Sequence, residues 1–248
     1  LISPPELPIH VVRRVNGIEW NKWNTNFQAP AGYTVLMDYY PYTRDQAVKE
    51  VVKDKKGKLK TITKTVKVLE PFLYAPYSEE LNIPELVKAG REYTKNLVTK
   101  ALDDLRKRNV ISVAFKNTLV ADVSAFTPEF FQVLPIIEHA DMTEFQLNSR
   151  ESIERVLTLI GSNPETAFSK TGSPAGALGW VQYTNKTWQS IRKIYPLAGL
   201  TDNFELGAAD HLMSMKAAIL LYDYKLQGFM KRHGAWVATS PHLQEYLT

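Results

Sequence analysis

The chain has 248 residues, 44% of them hydrophobic, with 30 Lys and Arg against 26 Asp and Glu for a formal net charge of +4. This composition excludes a largely disordered or fibrous chain, and the length allows one large domain or two smaller ones. The absence of cysteine excludes a disulfide framework, a Cys-ligated zinc site and a Cys nucleophile, and no stretch approaches the ~20 apolar residues of a membrane span.

Residues 1 to 80 read as a β-rich N-terminal region. Tyr33 to Tyr40 is an apolar and aromatic run bounded by Ala31-Gly32 and Pro41, which suits a buried strand. Ala47 to Lys53 and the alternating segment Leu59 to Glu70 flank Asp54-Lys55-Lys56-Gly57 and predict a hairpin, with Gly57 in the turn. Ile62, Val66 and Val68 fall on one face, opposite Thr61, Thr63 and Thr65. Basic residues concentrate between Lys49 and Lys67, alternating with Thr and Val and without base-stacking aromatics. A solvated hairpin face is expected there, not a nucleic-acid surface.

Residues 81 to 126 form a second segment, a linker or an extension of the N-terminal region. Leu86, Tyr93, Leu97, Ala101 and Leu105 recur at helical spacing and predict a long amphipathic helix over 84 to 108. One or two short strands are expected around Val110 to Val123.

From 127 onward the pattern is helical, so the fold class is α+β with a mainly α-helical C-terminal domain. Thr127-Pro128 supplies an N-cap and a first-turn proline to the apolar helix PEFFQVLPII. Asn148 and Glu151 make a capping-box-like pair opening a helix from Ser149 to Ile160, and Asn163-Pro164 predicts another start. Further helices are expected near Lys186 to Ile194, Ala208 to Gln227 and Pro241 to Leu247.

The string most suggestive of chemistry is GSPAGALGWVQYTNKT, Gly172 to Thr187. Gly176 and Gly179 permit close backbone approach and unusual φ, while Trp180, Gln182 and Tyr183 carry stacking and hydrogen-bonding groups suited to a sugar cleft. On the residues alone, a simple turn before a helix explains it as well. Upstream, Glu138 follows an apolar helix, a setting that desolvates a carboxyl and raises its pKa towards that of a useful acid. A buried structural carboxyl and an exposed helix end are the alternative roles.

Gly176, Ala177, Gly179 and Gln182 match the G-A-x-G-(apolar)-x-Q motif, and the segment resembles that of the goose-type lysozyme and soluble lytic transglycosylase family of the lysozyme-like superfamily. Leu134-Pro135-Ile136-Ile137-Glu138-His139 resembles the same family's L-P-I-x-E-S pattern. The resemblance covers residues 127 to 248. It implies a peptidoglycan lytic transglycosylase with Glu138 as single general acid and base, requiring neither metal nor cofactor, and with Gly176, Gly179, Trp180, Gln182, Tyr183 and His139 as candidate substrate contacts. It also implies a bacterial periplasmic or extracellular location and peptidoglycan strands as partner; it says nothing about residues 1 to 110, which are a separate candidate for contacts with cell-envelope proteins.

The sequence departs from the family in three places. His139 stands where the family has Ser. The 38 positions from Glu138 to Gly176 exceed the compact spacing, so residues 140 to 168 read as an insertion, and Glu144 and Glu151 within it are alternative catalytic carboxylates. The helix from Ala208 to Tyr224, with Leu212, Met215, Ala218 and Leu221 on one face, resembles the family's third segment, but the Ala-Tyr-Asn motif that follows it there is absent before Thr248. Continuation beyond Thr248 is expected, with Tyr246 a poor substitute, and the start at Leu1 fits a removed signal segment or trimming. Asp141 or Asp202 assisting water would instead make a hydrolytic lysozyme, and loss of catalysis would leave a glycan-binding or assembly module.

Overall fold

The computed structural model describes residues 38–53, 57–75, 77 and 79–240. The expected strand residues 33 to 37, hairpin residues 54 to 56, the helix over 241 to 247 and Tyr246 lie outside them. The fold is mixed helix and strand with two small antiparallel sheets, and the described residues divide into a hairpin unit and a helical unit that begins at Tyr77.

The hairpin pairs β1 (Asp38–Lys53) with β2 (Leu59–Tyr74) along their whole lengths, from Asp38 opposite Tyr74 to Lys53 opposite Leu59. Gly57 takes φ 76° after the turn. Ile62, Val66 and Val68 are half-buried and Thr61, Thr63 and Thr65 exposed, as the alternation predicts. Polar pairs on the ribbon, such as Lys64 with Glu50 at 3.9 Å, are exposed and add little stability.

The helical unit is organised around α7 (His211–His233). Met215, Ala217, Ala218, Ile219, Leu220 and Leu226 are all buried, so this helix is enclosed over most of its circumference instead of presenting one apolar stripe. Around it lie α1 (Pro84–Lys107), α2 (Pro128–His139), α5 (Asn185–Ile194) and α6 (Phe204–Ala209). Helix α1 also packs along α4 (Ser149–Ser162), so it shares the core of the helical unit. No helix among the described residues is long and apolar enough to cross a membrane.

Local signals set most helix starts. Thr127 accepts from the Phe130 amide at the start of α2, and Pro128 fills the first turn. Asn148 accepts from the Glu151 amide and donates to the Glu151 carboxylate, opening α4. The segment 140 to 168 is no surface appendage: Val156, Leu157, Leu159 and Ile160 of α4 are core residues. Two glycines permit that packing. A Cβ on Gly90 would collide with the Leu157 carbonyl, and one on Gly161 with the Leu86 carbonyl, so α1 and α4 meet backbone to backbone.

Three expected elements differ. Residues 110 to 123 form no strand pair; Ile111 bridges Leu119 and Val120–Asp122 is a single 3₁₀ turn. The polar groups of this segment are claimed by Asp223 of α7, which accepts from Ser112 Oγ at 2.5 Å, the Val113 amide at 2.8 Å and Tyr195 Oη at 2.7 Å. After Asn163-Pro164 the chain makes turns instead of a helix, with positive φ at Glu165 and Phe168. The helix expected from Ala208 is broken at Asp210, whose carboxylate caps α7 through the Met213 amide at 2.8 Å.

The α1/α4 crossing predicts that Gly90→Ala lowers stability by about 2 kcal/mol or more, because backbone must move to admit the methyl group. Gly228→Ala, on α7 with open space around the new Cβ, should instead stabilise by about 0.5–1 kcal/mol. Urea titrations of the two variants beside the wild type test this; an unchanged midpoint for Gly90→Ala rules out the close crossing.

Candidate active site

Glu138 lies in the last turn of α2, whose earlier turns are seated by aromatics. Phe130 and Phe131 meet the Tyr222 ring of α7 edge-on at 4.9 and 6.0 Å between centroids, with Phe126 at 5.5 Å completing the cluster. Glu138 follows Phe131 by seven positions, so the two leave the helix in nearly the same direction, with Glu138 at the exposed end of that face. Its side chain keeps solvent access, yet the protein around it disfavours the charged form and raises its pKa above the ordinary 4.5. The Lys225 ammonium pulls in the opposite direction.

Three groups share this electrostatic environment. The hydroxyls of Tyr183 and Tyr222 are raised above 10.0 chiefly by burial, Tyr183 well above it; the Glu138 charge adds to Tyr222, and Tyr222 and then Glu138 add to Tyr183. Lys225 is lowered by burial and raised by Glu138, and its Nζ lies 5.0 Å from the centre of the Tyr222 ring. Sequence reasoning singled out Tyr183 and missed Tyr222 and Lys225. Both lie on the helix read as mostly core, and their three-residue spacing puts them on neighbouring positions of one face.

Tyr183 is delivered by the glycine-rich segment. Strands β3 (Ala177–Leu178) and β4 (Tyr183–Thr184) pair Ala177 with Thr184 and Leu178 with Tyr183. Gly179, at φ 82°, fits directly against the Ala208 carbonyl, where a Cβ would collide. The Gln182 side-chain amide donates to the Gly179 carbonyl at 2.9 Å and the Thr171 carbonyl at 3.2 Å, closing the loop from within. Thr184 then caps α5. Gly179 and Gln182 therefore build the loop, while Gly176, at φ 79°, has open space beside it.

Trp180 and His139 differ from the expected cleft positions: they are 0% and 1% exposed, leaving no surface for a ligand. Their rings belong to the core. His139 stacks on Phe168 at 3.9 Å and 7°, and its Nε2–H donates to the Trp180 carbonyl at 3.0 Å. The Trp180 indole lies against the His211 ring at 4.1 Å. His211 Nε2–H donates to the Ala167 carbonyl at 2.7 Å, so its Nδ1 accepts from Tyr93 Oη at 2.8 Å. Burial lowers the two histidines to about 3 and about 4.

The alternative carboxylates have other partners. Arg155 holds Glu144 at 2.8 Å and Glu151 at 3.4 Å, and Glu151 also pairs with its cap Asn148. Asp141 Oδ1 accepts from the Thr143 and Glu144 amides to cap α3 (Met142–Leu147). Asp202 is exposed, in the loop before α6. A pocket of about 290 Å³ lined by Phe126, Phe131, Ile219 and Asp223 does not include Glu138. Among the described residues no group of three or more His, Asp or Glu is placed to hold a metal ion.

Two outcomes follow from these electrostatics. Lys225→Met removes the charge that favours ionised Glu138, so the carboxyl titration of Glu138, followed by ¹³C NMR, should move to higher pH; a move to lower pH refutes the pairing. The histidines titrate at 6.5 when unfolded and near 3 and 4 when folded, so the unfolded chain binds more protons between about pH 4 and 6.5. Their contribution to stability is complete above pH 6.5 and declines as the pH falls below it. Glu138, raised on folding, acts with the opposite sign. In a Glu138→Gln background the melting temperature should therefore fall steadily from pH 7 to 5, and a flat profile would contradict the buried neutral pair.

Comparison with known protein families, with curated proteins and with solved structures finds no match for the chain, so its residues and their geometry bear the functional argument.

Proposed function

We propose that this chain is a peptidoglycan lytic transglycosylase of lysozyme-like fold that acts in the bacterial cell envelope. The observation that carries the reading is Glu138: a solvent-accessible carboxyl at the end of an apolar helix, held protonated to higher pH than usual by the protein around it. Support comes from the glycine-rich segment resembling the family motif, which delivers Tyr183 into the surroundings of that carboxyl.

In this mechanism neutral Glu138 donates its proton to the glycosidic oxygen between N-acetylmuramic acid and N-acetylglucosamine as the C1–O bond breaks and positive charge develops on the muramyl ring. The glucosaminyl fragment leaves with a free 4-hydroxyl. Carboxylate Glu138 then accepts the proton of the muramyl 6-hydroxyl as that oxygen bonds to C1, giving a 1,6-anhydro sugar and returning Glu138 to its acid form. No water is consumed. A conventional glycosidase needs a second carboxylate; Asp141, Glu144 and Glu151 are engaged in capping or with Arg155, which favours the single-carboxyl route over hydrolysis through any of them and leaves exposed Asp202 as the hydrolytic alternative.

Incubation of purified sacculi with wild type and with Glu138→Gln, followed by muropeptide analysis, tests the assignment. The expected result is anhydro-ended products from the wild type, reduced at least about 100-fold by the substitution. Reducing-end products would establish a lysozyme instead. Sacculus binding without any products would establish a non-catalytic glycan-binding module.

A further inference from the structure

We propose that His139 is a positioning residue that fixes the Glu138 carboxyl relative to the loop bearing Tyr183. The proposal rests on the reading of Glu138 as the acid. His139 is its immediate neighbour on the last turn of α2, so whatever holds the imidazole also fixes the direction in which the Glu138 Cα–Cβ bond leaves the helix.

Two contacts at right angles hold that imidazole. In the ring plane, Nε2–H donates to the Trp180 carbonyl at 3.0 Å. Across the ring face, Phe168 stacks at 3.9 Å and 7°. Phe168 is fully buried and has φ 60°, an unusual conformation for a bulky residue, so the surrounding structure maintains a strained backbone with its ring under the imidazole.

The acceptor is equally constrained. Trp180 follows Gly179 at φ 82°, precedes Gln182 at φ 50° by two positions, and lies three residues before Tyr183. Its indole is wedged against His211, which is fixed in turn by the Ala167 carbonyl and by Tyr93 of α1. The His139 bond thus joins the end of α2 to the glycine loop, at the residue next to Glu138 on one side and three positions before Tyr183 on the other. A hydrogen bond alone does not call for a ring; the imidazole supplies the donor and a flat face that stacks on Phe168. That combination explains an imidazole in a site with no surface for substrate.

His139→Phe keeps a stacking ring and removes the donor, while His139→Gln restores a donor of similar reach without the ring. The kinetics use soluble peptidoglycan glycan strands, and ¹³C NMR follows the Glu138 carboxyl titration, which requires no turnover. His139→Phe is expected to lower kcat at least about 10-fold with KM within about twofold, and to displace the Glu138 titration. His139→Gln, which restores the donor without the stack, should recover only part of both. Wild-type kcat and an unmoved titration in His139→Phe would overturn the proposal, even if the melting temperature falls. If His139→Phe does not fold, Phe168→Leu, which keeps the donor but removes the stack, is measured in the same way, and a partial fall in kcat with a displaced Glu138 titration is required. A wild type without turnover defeats the transglycosylase reading, and the carboxyl titration then still decides whether His139 positions Glu138.

Discussion

Neighbouring residues on a helix project about 100° apart, and the end of α2 uses that step to send His139 into the core and Glu138 towards solvent. The rest of the candidate site depends on this divergence. Phe130 and Phe131 rotate the helix onto Tyr222, and Phe168 and the Trp180 carbonyl secure its final turn. A carboxyl placed this way gains enough protein around it to resist ionisation without losing access to solvent. Burial and exposure of adjacent side chains are thus two results of one packing arrangement.

The features legible in the sequence are those whose causes are local. Thr127-Pro128 and the Asn148 and Glu151 pair each start a helix by a hydrogen bond or a fixed φ within a few residues. The hairpin follows from alternation around a glycine turn. Long-range causes were not legible. Nothing near Asn163-Pro164 announces that Phe168 must reach the face of His139, which the chain achieves through turns with positive φ where a helix was expected. Likewise Ser112 and Val113 have strand-like neighbours, but their polar groups go to an aspartate more than a hundred positions away.

The candidate residues divide along the same line. Glu138 and Tyr183 could be named because a short pattern contains them. Tyr222 and Lys225 occupy an apolar helix whose sequence carries no motif, and they enter only when α2 and α7 are brought together. Trp180 and His139 had the chemistry of sugar contacts but not the location. An aromatic or an imidazole serves a core as readily as a cleft, and only the fold distinguishes the two.

The enclosure of α7 has a consequence for how the molecule can accommodate a substrate. A helix that slides by one residue also turns by about 100°, and with buried groups around most of its circumference α7 would exchange its core contacts for mismatched ones, including the Asp223 bonds to Ser112, Val113 and Tyr195. Its axial register is therefore locked. Tyr222 and Lys225 ride on that register, so the backbone beneath the carboxyl's neighbours behaves as a fixed anvil, with adaptation left to side-chain rotamers at the surface. For the proposed transglycosylase, such a site would need little binding free energy to assemble itself, and its selectivity would come from the shape it already has.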